Sequence, residues 1–376
     1  ELIPLEEAVG GKIVGAKVIA HKKFDKKENR DVVRWRLVAT EVNHHERDDC
    51  FAGTPSLRNF RMITSKAASK PNSDGVNRRI VGVYDASVAF FHADMPEEEV
   101  LYVRPPKEVL ADRTKVWKLR KAMYGTRRAA YLWQKYVRDV FVSNGWEKVR
   151  IEPNVYSKSI REGEPDDADA DAAVHGDDFL IQGIPEVIEQ YADVMLANHI
   201  EITCLAKVGP GYGKECHILK RKITWSPEGF TWQADPKHAQ ALIELAGKGK
   251  SGVKPADTPG TANLCKTNRD ACALLPPGQA EEARRAGGIA TYLAMDRPDI
   301  CFATRCATRD MSAPKVRMLS YLNRIARYLA GIPELVWIYD YQDQPTTLTV
   351  RTDADWAGPE VEGQKCTTCL VIKLGK

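Results

Sequence analysis

No stretch of these 376 residues is long and apolar enough to span a bilayer, and nothing at the start reads as a signal peptide, which argues against a membrane or secreted role. The nine cysteines form no paired framework either. The lone CxxC, Cys366-Thr367-Thr368-Cys369, has no second ligand pair, so structural zinc is not expected and the thiols read as reduced. Net charge is small at +4, enough to permit nucleic-acid binding without demonstrating it. The chain reads as soluble, intracellular and too long for one ordinary domain. It opens on Glu1 rather than Met and stops just after an apparent strand, Cys369 to Leu374, as a piece cut from a longer polyprotein would.

What is present is a pair of aspartates in an unusual setting. Asp48-Asp49 and Asp166-Asp167 are also pairs, but Asp177-Asp178 alone sits between apolar runs, in Ala172-Ala173-Val174-His175-Gly176-Asp177-Asp178-Phe179-Leu180-Ile181. Gly176 permits a tight turn, and the flanks predict strand, turn, strand, with both carboxylates at one sheet edge. Two anions about 4 Å apart repel by roughly 1 kcal/mol even in water, so such a pair calls for a cation, and hard oxygen donors favour Mg²⁺ or Mn²⁺. A third acid is available at Asp85, which ends the β-rich run Ile80-Val81-Gly82-Val83-Tyr84. On its own segment Asp85 reads first as a helix N-cap ahead of Ala86 to Phe91. Joined to a distant Asp-Asp turn, it fits a two-metal phosphoryl-transfer site.

Several segments then point one way. Arg34-Trp35-Arg36-Leu37-Val38-Ala39, Tyr84-Asp85-Ala86-Ser87-Val88-Ala89-Phe90, Glu98 to Pro106, Trp117 to Gly125, the hairpin at 175–178, Tyr292 to Ile300 and Thr352-Asp353-Ala354-Asp355-Trp356-Ala357-Gly358 follow one another in that order. Together they resemble the reverse transcriptase of copia-type LTR retrotransposons with the start of RNase H. The resemblance runs from about residue 12 to the end.

It implies an α+β, right-hand polymerase: fingers over 1–75, palm over 76–106, a fingers/palm insertion over 107–150, and a second palm part with catalytic and primer-grip-like hairpins over 151–235. Thumb and linker would follow over 236–285, a connection over 286–345, and an incomplete RNase H-like start over 346–376. The implied activity is RNA-directed DNA polymerisation, with two Mg²⁺ (or Mn²⁺) ions at Asp85, Ala86, Asp177 and Asp178. The nucleotide would meet one of Arg34 and Arg36, together with Phe90, Gly125 and Arg127; Phe90 would be the steric gate against ribose, and Phe91 would be core. Lys220 and Lys222, on one face of a strand, would touch primer or template phosphate or simply face solvent. Asp353 would be the first RNase H acid, without its partners, so no RNase H activity is expected. Implied partners are an RNA template, a DNA primer, dNTPs and the rest of the Pol polyprotein (integrase, remaining RNase H), in a cytoplasmic virus-like particle or the nucleus. The alternatives are a catalytically degraded remnant that only binds nucleic acid, and a metal nuclease.

Departures from the family pattern carry expectations of their own. His175-Gly176 replaces a tyrosine and a bulky residue, and Arg127-Arg128-Ala129-Ala130 replaces a Lys-Gln-Ala-Pro sequence, losing a proline that would stiffen the loop. The run Glu162 to Asp171 is acidic and β-poor, and reads as a solvated insertion that leaves only Ala172 to Val174 as the first hairpin arm. Elsewhere, Lys12 to Ala20 and Val32 to Ala39 read as strands joined by a charged turn. Leu132, Tyr136, Val140 and Phe141 form a helical stripe, Ile184 to His199 and Pro236 to Gly247 read as helices, and Lys248 to Gln279 as a linker. Met318, Tyr321, Leu322, Ile325 and Leu329 mark a helix with Arg317, Arg324 and Arg327 elsewhere around it. Arg351 to Lys376 is expected to be the least stable ordered segment.

Overall fold

The computed structural model describes residues 1–25, 29–42, 48–69, 76–247, 254–261, 272–354 and 368–375. Residues 26–28 of the expected charged turn, Asp355 to Gly358, Cys366 and much of the expected linker (248–253 and 262–271) lie outside them. Sheets and helices are mixed without regular alternation, an α+β architecture. The chain divides into two compact units, Glu1–Ile63 with Ile80–Lys207, and Thr64–Arg79 with Val208–Lys376.

The first unit is built on a six-stranded sheet in the order Ile202–Val208, Ile80–Ala86, Asp178–Gly183, Ala170–His175, Val155–Lys158, Glu147–Lys148. Its central strands are apolar on both sides, as strands covered on both faces are. Side chains alternate between the two faces. Tyr84, Phe179 and Val174 therefore share one face, packed in one core with Trp133, Val137 and Phe141 of helix Ala129–Ser143 and with Ile188 and Leu196. Burying one such side chain contributes about 1.5–3 kcal/mol, so this core fixes which face each alternate residue takes. The segment read as one helix, 184–199, is helical from Pro185 to His199 with a π-turn over Ile188–Val194.

Only the first half of the acidic run is a solvated loop: Glu162, Gly163, Pro165 and Asp166 are exposed, but the second half packs into the unit. Asp167, Ala168, Ala170 and Asp171 are buried; Gln182 Nε2 donates to Asp171 Oδ2 at 2.8 Å, and the buried Lys158 ammonium lies 2.7 Å from Glu164 Oε2. Lys158 neutralises Glu164 and the Gln182 amide bonds Asp171, and the first hairpin arm is the full six residues Ala170–His175, paired on both edges. A second, five-stranded sheet contains the long ribbon Lys12–Asp25 and Arg30–Thr40, in register from Gly15↔Thr40 to Asp25↔Arg30 and so longer than the alternation of Lys12 to Ala20 predicts.

In the second unit the four strands Glu215–Ile218, Arg221–Ser226, Gly229–Gln233 and Val336–Asp340 form one sheet. Helices Lys237–Gly247, Pro277–Ala294, Pro298–Thr308 and Val316–Gly331 share one core. A thumb–connection boundary at 285 would cut through the second of these helices, which also starts inside the expected linker. Arg317 is buried beside Asp310, while Arg324 and Arg327 donate to the 254–258 segment, so these arginines serve the unit's own packing. Among the described residues Leu348–Ala354 pairs with Thr368–Leu374 alone, and every described residue of this ribbon is exposed.

Candidate active site

Asp85 is no helix cap. It lies inside strand Ile80–Ala86, directly opposite Asp178, while Asp178 in turn lies opposite His175 on the other side. Opposed residues on neighbouring strands point to the same face, so His175, Asp178 and Asp85 line up across the sheet on the face away from Tyr84 and Phe179. Asp177 follows at the turn. Gly176 takes φ +66°, which closes His175 onto Asp178 with two intervening residues and brings the second aspartate to the edge. Ala86, the last residue of its strand, donates its N–H to Asp177 O at 2.8 Å and so ties the turn to the Asp85 strand.

The electrostatics of the trio are those of a site short of positive charge. Burial first, then the negative charges of Asp177 and Asp85, push the Asp178 carboxyl up from 3.8 to about 6, with His175 pulling weakly the other way. The fold thus prefers protonated Asp178: that stability is fully present below about pH 3.8 and is lost as pH rises through about 6. In chelator, Asp178→Asn is expected to leave the melting temperature unchanged near pH 4 and to raise it by on the order of a few degrees at pH 8. A lower melting temperature at pH 8 would contradict the assignment.

The donor set suits a hard divalent cation, being three carboxylates with an unfavourable charge balance. Among the described residues no three acidic, histidine or cysteine side chains converge closely enough to hold an ion as they stand.

Around the trio the structure brings some expected residues together and separates others. Tyr124, not singled out in the sequence, stands between them. Burial first and the Asp177 charge second hold its phenol above the usual range, while the Phe90 and Ala89 backbone N–H groups and Arg36 pull it down. Of the two arginines, Arg36 is therefore the one whose charge reaches Tyr124. Phe90 is half-buried with its ring 4.5 Å from that of Tyr124. Phe91, expected in the core, is 42% exposed: both lie on the short turn Ala89–His92, where successive side chains diverge.

Gly125 makes its close approach to protein rather than to open space: a Cβ there would lie 2.0 Å from Ala39 O. Arg127 N donates to Glu41 Oε2 at 2.8 Å. Arg128 is ion-paired with both Glu99 and Asp49, which ties the loop to both segments. Trp133, hidden in the sequence among ordinary helix positions, donates its indole N–H to Gly176 O at 2.8 Å.

The remaining expected sites lie in the second unit. Lys220 occupies the turn between Ile218 and Arg221 with φ +62° rather than sharing a strand face with Lys222, and Lys222 pairs with Glu215 at 2.7 Å. Asp353 stands opposite Cys369 in the exposed ribbon.

A sequence profile of the family "Reverse transcriptase (RNA-dependent DNA polymerase)" matches residues 6–228. Two Arabidopsis thaliana proteins, the retrovirus-related Pol polyproteins from transposons RE2 and RE1, are 24% and 25% identical over 96% of this chain, which spans 23% of each. The chain thus covers about a quarter of the length of these relatives. Among solved structures, a foamy viral protease-reverse transcriptase in complex with double-stranded DNA aligns with 94% of this chain and 49% of its own, at 11% identity and a TM-score of 0.43. With the profile covering more than half of its length, the chain belongs to the reverse transcriptase family, in its copia-like retrotransposon branch.

Proposed function

We propose that this chain carries the RNA-directed DNA polymerase centre of a copia-like element and extends a primer 3′-hydroxyl with dNTPs along an RNA template. The supporting observation is the register of Asp178 against Asp85, with Asp177 at the adjoining turn. In this reading Asp85, Asp177 and Asp178, with the Ala86 backbone, hold two Mg²⁺ or Mn²⁺ ions. Bound there, the ions would favour the primer oxygen as nucleophile and stabilise charge on departing pyrophosphate. Arg36 supplies positive charge for the triphosphate, with Arg127 as a second cation. Phe90, braced by Tyr124, excludes a ribose 2′-hydroxyl by steric clash. Lys220, exposed on its turn, is the remaining primer–template contact of the expected pair. The other Pol segments, integrase and the rest of RNase H, would be partners in a cytoplasmic particle.

The test is primer extension on poly(rA)/oligo(dT) with Mg²⁺ and dTTP. Wild type should extend, and Asp177→Asn should be slower by roughly 10³-fold or more, the loss expected when several kcal/mol of metal-borne stabilisation go. Equal signals from the two proteins would sink the proposal. With UTP in the same assay, Phe90→Val should gain incorporation; unchanged sugar selectivity removes Phe90 from the gate. The degraded-remnant reading draws on His175-Gly176, and it requires wild type to bind the duplex yet extend no better than Asp177→Asn.

A further inference from the structure

The hairpin that carries Asp177 and Asp178 has little at its tip to hold it. Gly176 has no side chain, and a Cβ built there would find no atom within 4 Å, so no side-chain packing restrains the turn. Its restraint comes through carbonyl oxygens. Asp177 O accepts from Ala86 N and Gly176 O accepts from Trp133 Nε1, both at 2.8 Å. Trp133 is 1% exposed, on the helix that packs the opposite face of the sheet. A buried indole N–H usually finds a partner, yet this core does not impose it: Trp146 Nε1, in the same cluster, has no partner among the described residues.

Trp133 is itself braced. Its ring stacks on Tyr136 at 6.1 Å and lies 6.0 Å from His92, while the Tyr136 hydroxyl donates to His199 O at 2.6 Å. His92 Nε2 sits 3.1 Å from Ser87 O and 3.3 Å from Glu201 N, two residues beyond Asp85 on the one side and at the start of the edge strand on the other. The aromatic cluster thus joins the segment that follows Asp85 to the tip that carries its two partners.

We infer that Trp133 is a positioning residue, whose indole N–H holds the Gly176 carbonyl and thereby sets the aspartate turn against Asp85. It supplies at the tip a restraint that Gly176, with no side chain, cannot. The inference rests on the polymerase reading for its rate measurement, and on nothing but the fold for its second measurement.

Two replacements isolate the N–H. Trp133→Phe keeps an aromatic ring, and β-(3-benzothienyl)alanine introduced at position 133 keeps the whole bicyclic shape with sulfur in place of N–H, so folding is not at issue. Single-turnover dTTP incorporation should slow about tenfold, the worth of one buried hydrogen bond, while primer–template affinity stays within about twofold. Amide exchange over 175–179 should quicken by a similar factor, with that of 80–84 unchanged. Wild-type rate and wild-type exchange at 175–179 in the benzothienyl protein would overturn the inference. If wild type itself fails to extend a primer, the polymerase reading falls, and the exchange measurement alone decides the role of Trp133.

Discussion

Asp296→Ala is expected to cost the second unit about 3–5 kcal/mol, the largest stability loss from any single side chain considered, because it strands a buried guanidinium. Arg221 Nε and Nη2 donate to Asp296 Oδ2 at 3.1 and 2.8 Å, Trp232 Nε1 donates to Oδ1 at 3.1 Å, and Trp337 Nε1 donates to the Asp296 carbonyl at 2.9 Å. Arg221 and Asp296 are both almost fully buried. Three side chains of the four-stranded sheet therefore converge on one residue at the end of helix Pro277–Ala294. Next to it, Arg297 is held by Asp299 and by the Ile332 and Pro333 carbonyls, so the whole Asp296 to Asp299 stretch is a strut between helices and sheet. Urea unfolding followed by amide exchange in 221–233 and 336–340 measures the loss. Asp296→Leu combined with Arg221→Met should lose far less, because it leaves no unpaired charge behind. An unchanged urea midpoint for Asp296→Ala would show that the pair contributes nothing net.

That strut was readable only as a family marker. Tyr292 to Ile300 carries no periodicity that announces a buried ion pair, since Arg221 lies far away in sequence. The same limit explains the acidic run. Composition counts the charges of Glu162 to Asp171 but not Lys158 or Gln182, which arrive from other strands and neutralise or bond them. The Asp177-Asp178 hairpin was legible because every signal is local: a short apolar run on each arm and a glycine at the turn, where φ is +66°. Asp85 needed more, since pairing residues 85 and 178 is a long-range event, and only the order of motifs linked them. Phe91 was wrongly placed in the core because Val88, a β-branched residue at φ +45°, opens a turn that no pattern of apolar residues foretells. Trp133 stayed hidden for a different reason: its partner is a backbone carbonyl, which has no signature in a sequence.

Gly125→Ala is expected to disable the site from outside it. The added methyl would stand 2.0 Å from Ala39 O, at a backbone φ of +87°. Overpacking costs about 1–3 kcal/mol and the left-handed conformation about 1 more, but the larger consequence is displacement. Tyr124 O accepts from Ala39 N at 2.7 Å and Gly125 O from Glu41 N at 3.3 Å, so the loop is laced to the ribbon strand Arg30–Thr40 by its backbone. Pushing it away moves the Tyr124 ring, which packs on Phe90 and whose hydroxyl lies within the field of Asp177. A shift of about 1 Å at such a position can cost on the order of 10²-fold in rate. Asparagine separates the two causes, since it tolerates positive φ but still carries a Cβ. Gly125→Asn should therefore extend primers as poorly as Gly125→Ala, whereas Gly176→Asn, at φ +66° with nothing within 4 Å, should keep most of its activity. If Gly125→Asn instead extended like wild type, backbone conformation rather than the approach to Ala39 would be what requires glycine there.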